Sequence, residues 1–194
     1  MKKTILILTT VALLSFKADE TSKWNLDNAH AKVGFTVTHL MMSDVDGYFK
    51  TVTASVTSSN ADFTDAVAEM TAQVNSVSTD NEKRDGHLQN ADFFDAVKFP
   101  TITFKSVSFK KTATANNYTV TGNLTMHGIT KPVTLNAFAR TGINPMNQKI
   151  TTGFKITGEI NRKDFGVGAS TPDAIVSEKI TLTANAEFIK EISN

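Results

Sequence analysis

A short polar segment near the middle of the chain carries the residues best suited to hold a ligand. Arg84, Asp85 and His87 fall within four residues of one another, and the aromatic pair Phe93-Phe94 follows closely. Arginine makes bidentate contacts with phosphate and carboxylate groups, so Arg84 and His87 are the candidates for contact with a polar group. A structural salt bridge of Arg84 and Asp85 with other segments of the chain is an equal alternative. The cluster favours a site for a molecule with one polar end and one apolar end. The alternative is a helical lid whose Phe rings only plug the fold.

The same segment, Thr79 to Pro100, predicts a short helix between strands. Asn81 is a favoured N-cap residue, and acidic residues in the first turn suit the positive end of the helix dipole. We expect this helix to run through Glu82–Asp85 and to be interrupted at Gly86, because glycine lowers helix stability.

Other polar residues predict no catalytic site. The four histidines lack the spacing of zinc motifs, there is no cysteine, and no G-x-S-x-G sequence is present. His39 and His87 could still meet in space, so a metal-assisted enzyme with a hydrophobic substrate stays an alternative. We expect neither a cofactor nor an enzymatic activity.

Four single residues have structural interpretations. His39 ends an apolar strand face, so it is either a hydrogen-bonded core histidine or the polar end of a cavity. Arg162 and Asp164 precede the last strand and are expected to pin that loop. His127 lies beside a turn and is expected to be exposed, whereas His30 is expected to pack in a loop before the first strand.

Apolar and polar residues alternate along most of the chain, which is typical of half-buried strands. About eight such strands follow one another with a single helical interruption, which favours an all-β, lipocalin-like antiparallel eight-stranded barrel. The segment DAVAEMTAQV also has helix propensity, but its alternation predicts a strand. A change of parity after Phe104 predicts a bulge near Lys105–Ser106. The turn signals are Asn116-Asn117, His127-Gly128 and Asn144-Pro145 with Asn147.

Small residues on the predicted inner faces leave volume inside such a barrel. They are Gly122, Gly158, Ala137, Ala184 and Ala186. An eight-stranded barrel is just wide enough for side chains or one small ligand. Either a ligand or the protein's own Phe residues fill that space.

The N-terminus reads as a secretory signal peptide over residues 1–18, with the boundary between 18 and 20. Lys2 and Lys3 precede an apolar stretch too short to span a bilayer. The whole chain has 20 basic and 19 acidic residues; removing residues 1–18 takes away three lysines, leaving 17 against 19 and a net charge of −2 (17 − 19). This balance predicts no binding to nucleic acid or to anionic lipid. Without cysteine, the core alone must stabilise a secreted domain.

An ordered set of short motifs resembles the YceI-like family of bacterial secreted polyisoprenoid-binding proteins. Each motif is weak by itself, but their order is specific, and they cover about Trp24 to Phe188. The motifs are Trp24-x-Leu26-Asp27-x-x-His30, Val33-x-Phe35-x-Val37-x-His39-Leu40, Val45-x-Gly47-x-Phe49, Val77-Ser78-Thr79, Arg84-Asp85-x-His87-Leu88, Asp92-Phe93-Phe94-Asp95, Phe99-Pro100-x-Ile102-x-Phe104-x-Ser106, Gly122 to Val133, Arg162-x-Asp164-Phe165-Gly166 and Val176 to Ile180.

The resemblance implies one barrel domain over residues 22–190, with a helical insertion near 80–97 and an elongated apolar cavity for a long-chain lipid such as a polyisoprenoid. It implies a carrier, storage or sequestering protein. The signal peptide and the absence of cysteine predict a periplasmic or extracellular location without stable membrane insertion. A homodimer is left open, as is a barrel that binds no ligand. The expected ligand-binding residues are Phe35, Val37, His39, Phe49, Arg84, His87, Phe93, Phe94, Ile102, Phe104, Leu124, Met126, Phe154, Ile156, Gly158 and Phe165.

Overall fold

The structure is a computed structural model that describes residues 21–191, most of which lie in β-strands. The predicted signal peptide lies outside the described residues. The strands are β1 Ser22–His39, β2 Ser43–Phe49, β3 Val52–Ser58, β4 Val67–Gln73, β5 Val77–Ser78, β6 Thr101–Lys111, β7 Asn117–Met126, β8 Ile129–Ile143, β9 Ile150–Asn161 and β10 Lys179–Lys190, and helix α1 is Glu82–Leu88.

Eight of these strands close into an antiparallel barrel. Their order around the wall is β1-β3-β4-β6-β7-β8-β9-β10, and β10 pairs again with β1. The long strand β1 pairs with β3 near its start and with β2 from Val33 onward, so β2 continues the line of β3 past a kink at Lys50-Thr51. β5 continues β4 in the same way beside β2. The predicted all-β, eight-stranded barrel is confirmed, and closure removes the free edges that such strands would expose.

Local predictions for the strands are confirmed in detail. The helix-prone segment forms β4, because it pairs on both edges with β3 and β6, and this pairing outweighs helix propensity. The β6–β7 register shifts between Ser106 and Ser108, close to the predicted bulge. His127 and Gly128 form the tight β7–β8 turn with φ of 52° and 74°, a left-handed conformation that suits glycine.

Helix α1 begins as predicted but ends later. The Asn81 side chain accepts a hydrogen bond from the Arg84 backbone N–H at 3.0 Å. Gly86 does not interrupt the helix, which continues to Leu88. One glycine costs a helix only about 1 kcal/mol, and the cap together with two bonds from Thr79 to Asp85 offsets that cost.

The two ends of the barrel differ. At the end that we call the closed end, the β3–β4 loop inserts Phe63, which is 2% exposed, between Trp24 and Phe154, with ring centroids 5.4 and 5.3 Å away. At the opposite end, which we call the mouth, lie α1, the β1–β2 turn (residues 40–42) and the long β9–β10 connection. Within residues 21–191, none of the helices has the length and apolar composition that a membrane span requires.

Candidate functional site

An apolar cavity of about 560 Å³ runs between the closed end and the mouth. Its volume falls in the usual range of small-molecule sites, roughly 300–1,000 Å³. The predicted site residues that line it are Phe35, Val37, His39, Phe49, Arg84, His87, Phe93, Phe94, Ile102, Phe104, Leu124, Met126, Phe154 and Ile156.

Two predicted residues, Gly158 and Phe165, do not line the cavity. Gly158 lies on the inner wall, but the side chain of its strand partner Leu135 covers it: a Cβ atom there would lie 2.4 Å from Leu135 Cδ2. Phe165 is buried in a short 3-10 helix, Arg162–Phe165, within the core cluster at the mouth. Neither residue faces the cavity, and both pack against residues of the barrel core.

The glycines of the inner wall do not create the volume that the sequence suggested. A Cβ at Gly47 would lie 2.3 Å from the Phe35 ring, and one at Gly122 would lie 2.4 Å from the Phe104 ring. These glycines let neighbouring rings lie flat against the sheet. The alanines that line the cavity are Ala54, Ala68, Ala72, Ala184 and Ala186.

Aromatic rings narrow the cavity near the mouth without filling it. Phe35, Phe49 and Phe94 pack together with ring centroids 5.9 to 6.4 Å apart. The neighbouring Phe93 ring packs edge-on against His87 at 5.0 Å. Phe93 and Phe94 therefore close part of the wall and also face the cavity. The structure combines the two interpretations drawn from sequence, a ligand site and a lid plugged by Phe rings.

Most charged groups of the lining, among them Arg84, Asp92 and Arg162, lie at the mouth. Arg84 donates from Nε to Thr79 Oγ1 and from Nη2 to the Thr79 carbonyl, both at 2.7 Å. Asp85 Oδ1 accepts from the Thr79 backbone N–H at 2.7 Å and from its hydroxyl at 2.5 Å. Arg84 and Asp85 thus share Thr79, which fastens α1 to the end of β5. Sequence analysis did not select Thr79, whose only signal was its place in the Val77-Ser78-Thr79 motif.

Arg162 confirms the predicted loop anchor and also lines the cavity. It is only 3% exposed, and its guanidinium donates to the carbonyls of Val167, Gly168, Thr171, Val176 and Ser177. A buried charge requires such partners, because an unpaired one would be strongly destabilising. Asp164 instead pairs with Lys131 on the surface.

The histidines occupy three kinds of environment. His39 and His87 are exposed and lie at the mouth, so His39 is not a core residue. His127 is half-buried rather than exposed, because Nδ1 lies 3.2 Å from the Phe165 carbonyl oxygen and its ring packs on Phe99. His30 lies within β1 at a register shift, not before the first strand, and is exposed.

The group of side chains spaced to hold a metal in residues 21–191 is Asp27, His30 and Glu187, outside the cavity lining. His30 Nδ1 lies 2.9 Å from Asp27 Oδ2. This hydrogen bond raises the pKa of His30 and, with a bond from the Ala29 N–H, lowers the pKa of Asp27. A surface ion pair accounts for the arrangement.

The fold and motifs have known counterparts. The sequence model of the YceI-like domain matches residues 24–188. The chain belongs to the YceI-like family. It is 34% identical over 195 residues to Protein YceI of Salmonella newport (strain SL254), covering 98% of this chain and 100% of that one. It is also 34% identical over 172 residues to a UPF0312 protein of Staphylococcus aureus (strain N315), covering 86% of this chain and 97% of the relative.

Solved structures share the barrel. Burkholderia cenocepacia BcnA superposes with a TM-score of 0.74 at 28% identity, covering 84% of this chain and 98% of BcnA. A polyisoprenoid binding domain from Saccharophagus degradans implicated in plant cell wall breakdown gives a TM-score of 0.63 at 14% identity, covering 87% of this chain and 98% of that domain. The second likeness concerns the fold alone.

Proposed function

We propose that this YceI-like protein holds a long-chain amphiphile, such as a polyisoprenoid, in its barrel cavity for transport, storage or sequestration. The observation that carries the proposal is an apolar cavity of about 560 Å³ whose charged lining residues gather mainly at the mouth. The name of the S. degradans domain, which shares the fold, supports the same ligand class. The apolar chain points toward the closed end, and the polar head lies beside Arg84 and His87.

The hydrophobic effect alone does not select the ligand. A chain that leaves a bilayer for this cavity moves between two apolar environments, so most of its burial free energy cancels. Selectivity then comes from the length of the cavity and from the groups at the mouth. Arg84 and Arg162 both donate N–H groups to backbone carbonyls, which fixes the segments that form the mouth.

The proposal includes secretion. The positively charged and apolar N-terminal stretch favours export and cleavage between residues 18 and 20. The mature protein then works in the periplasm or outside the cell. Intact mass measurement of the protein recovered from each cell fraction identifies the cleaved bond, and recovery of the uncleaved chain in the cytoplasm contradicts this part of the proposal.

Recovery of a bound lipid tests the binding function. Ala184 lines the cavity and pairs with Val33 and Ile156, which line it too. Ala184→Phe fills the middle of the cavity, so native mass spectrometry and organic extraction should recover at least about tenfold less amphiphile than from wild type. The neighbouring Asn185 points outward and is exposed, and Asn185→Phe should retain the ligand.

A melting curve for each variant shows that the barrel is folded, and Ala54→Phe provides a second way to fill the same space if Ala184→Phe does not fold. Wild-type protein without any extractable amphiphile, or equal recovery from the inward and outward variants, would overturn the proposed function.

A further inference from the structure

The β1–β2 turn presents three consecutive apolar side chains to solvent at the mouth. Leu40, Met41 and Met42 are 47%, 77% and 87% exposed. Ile175, which is 43% exposed, lies beside them, since the Leu40 backbone N–H donates to its carbonyl at 2.9 Å. We call these four residues the mouth tip. Contiguous exposed apolar residues are uncommon on soluble proteins and mark interaction sites.

The backbone of this turn does not favour the residues that occupy it. Leu40 and Met41 have φ of 52° and 56°, and the Met42 N–H donates to the His39 carbonyl at 3.0 Å. Tight turns with two positive φ values prefer asparagine and glycine. The His127-Gly128 turn places glycine at its second position. Large side chains kept in a costly conformation and in contact with water point to a function of the side chains themselves.

The mouth tip is held rigidly. Thr38 accepts a backbone hydrogen bond from Ser177 at 2.9 Å and donates its own N–H to Ser177 Oγ at 3.0 Å. The buried Arg162 guanidinium in turn donates hydrogen bonds to the carbonyls of Val176 and Ser177. The buried arginine therefore fixes the β9–β10 connection against the hairpin and keeps Ile175 next to Leu40.

The mouth tip is continuous with the cavity. Ile175 belongs to both, and the adjacent residues His39 and Val176 line the cavity as well. An alkyl chain that enters at the mouth tip passes from one apolar surface to the next. Such a path lowers the cost of exposing the chain to water during transfer.

The charges beside the mouth tip indicate the kind of surface it suits. Asp44, two residues after the turn, is exposed, and Asp173 lies two residues before Ile175. Lys163 and Arg162 pair with Asp173 at 2.7 and 3.3 Å, so the charge of Asp173 is already compensated and the carboxylate that counts here is that of Asp44. The Asp44 carboxylate disfavours an anionic membrane, whereas apolar side chains insert into the boundary between headgroups and acyl chains. Met side chains adapt well to such an irregular environment.

We propose that the mouth tip docks on a lipid bilayer of low surface charge and opens the cavity directly to the membrane from which it is loaded. This inference rests on the proposed lipid-binding function. Docking is shallow and reversible, because only a hairpin tip and one neighbouring side chain insert. The partner is the bilayer itself; a second copy of the chain is the competing occupant.

Single-cysteine labelling tests the docking, because the chain has no cysteine. An environment-sensitive fluorophore is attached to the full chain at Met42→Cys or, as the control, at Met146→Cys. Met146 is 90% exposed and lies in the β8–β9 turn at the closed end. With phosphatidylcholine vesicles, the label at residue 42 should shift to the blue and be quenched by bilayer-embedded quenchers, whereas the label at residue 146 should not change.

Each other result overturns the proposal. Equal responses at residues 42 and 146, or no response at either, show that the mouth tip does not insert. A shift at residue 42 that grows with protein concentration in the absence of vesicles shows that a second copy covers the mouth tip. Binding that requires anionic lipid contradicts the low-charge assignment; replacing a third of the phosphatidylcholine by phosphatidylglycerol should change the affinity by less than about twofold.

The rate of loading separates this inference from the proposed function. Met41 and Met42 do not line the cavity, so the double variant Met41→Ser/Met42→Ser should take up lipid from vesicles at least about tenfold more slowly while reaching the same final occupancy. Met146→Ser should load at the wild-type rate. An unchanged rate with normal occupancy overturns the docking but leaves the binding function, whereas an empty cavity in wild type overturns the binding function.

Discussion

Phenylalanine rings pack at both ends of the barrel, but their surroundings differ. At the closed end, Phe63 is fully enclosed by Trp24, Phe154 and neighbouring rings. At the mouth, Phe93 and Phe94 pack on the wall but also border the cavity. The same side chain seals one end and lines an entrance at the other, and the difference lies in the segment that carries it.

The segments differ in how they are fixed. The loop that carries Phe63 connects two neighbouring strands and is closed by hydrogen bonds from Ser58, Ser59 and Asn60 to Asp65. The mouth depends on long connections fastened by two arginines, Arg84 and Arg162, to backbone carbonyls. The short β3–β4 loop, with its local hydrogen bonds, closes one end of the barrel. The long connections at the mouth are fixed at a few points and leave an opening lined by polar groups.

Truncation of one Phe at each end gives the largest expected effect. Phe63→Ala removes a side chain that is 2% exposed and should lower the free energy of unfolding by about 3–5 kcal/mol. Phe94→Ala should cost less, about 1–3 kcal/mol, because part of the ring already faces the cavity. Urea unfolding measures both.

The loss of bound ligand should follow the opposite order to the loss of stability, with the larger effect in Phe94→Ala. After Phe94→Ala the mouth is wider, so bound amphiphile should exchange faster with vesicles than it does in Phe63→Ala. If the two variants lose equal stability and exchange lipid at equal rates, the functional distinction between the ends is wrong.

A second test concerns the polar end of the site. Arg84→Ala should weaken binding of a chain with a phosphate headgroup by about tenfold, or 1.4 kcal/mol, and binding of an uncharged chain by less than about twofold. Thr79→Val is the matched control: it removes the hydroxyl that bonds Arg84 and Asp85 but keeps the guanidinium. Equal losses for both ligands in Arg84→Ala would make Arg84 purely structural.

The smallest expected effect is the acid response of the closed end. A hydrogen bond from Lys111, with further bonds from Thr64, lowers the pKa of Asp62 to about 2. Because the folded-state pKa is depressed, this contribution to stability is present above the unfolded-state pKa near 4 and is lost as the pH falls toward 2. Asp62→Asn should therefore flatten the decline in melting temperature between about pH 4 and pH 2. An unchanged decline would assign the acid response to other groups.

Much of the barrel could be predicted from local sequence. Alternation identified the wall strands, including β4 against its helix propensity, because strand pairing on both edges requires a period of two. A change of parity located the bulge in β6. Asn81 marked the start of α1, since a cap acts over only three residues. These features depend on near neighbours in the chain.

The candidate site was predicted only in part. Alternation selected wall residues such as Phe104 and Ile156, which do line the cavity. It selected Gly158 as well, but whether a glycine leaves space depends on the side chain of the paired strand, here Leu135. Gly86 was expected to interrupt the helix, but the Asn81 cap and the bonds from Thr79 to Asp85 keep it intact through Leu88. A partner on the neighbouring strand decided the outcome at Gly158, and a residue just before the helix decided the outcome at Gly86.

The order of residues is enough to specify an all-β barrel, its strand faces, the helical insertion and the family. Alternation, turn residues and caps depend only on residues close to one another in the chain. Packing between distant segments leaves a cavity in the barrel, brings five carbonyls to the Arg162 guanidinium, and exposes Leu40, Met41 and Met42 beside the mouth. Volume, burial and exposure are properties of segments brought together from afar, and only the packed chain fixes them.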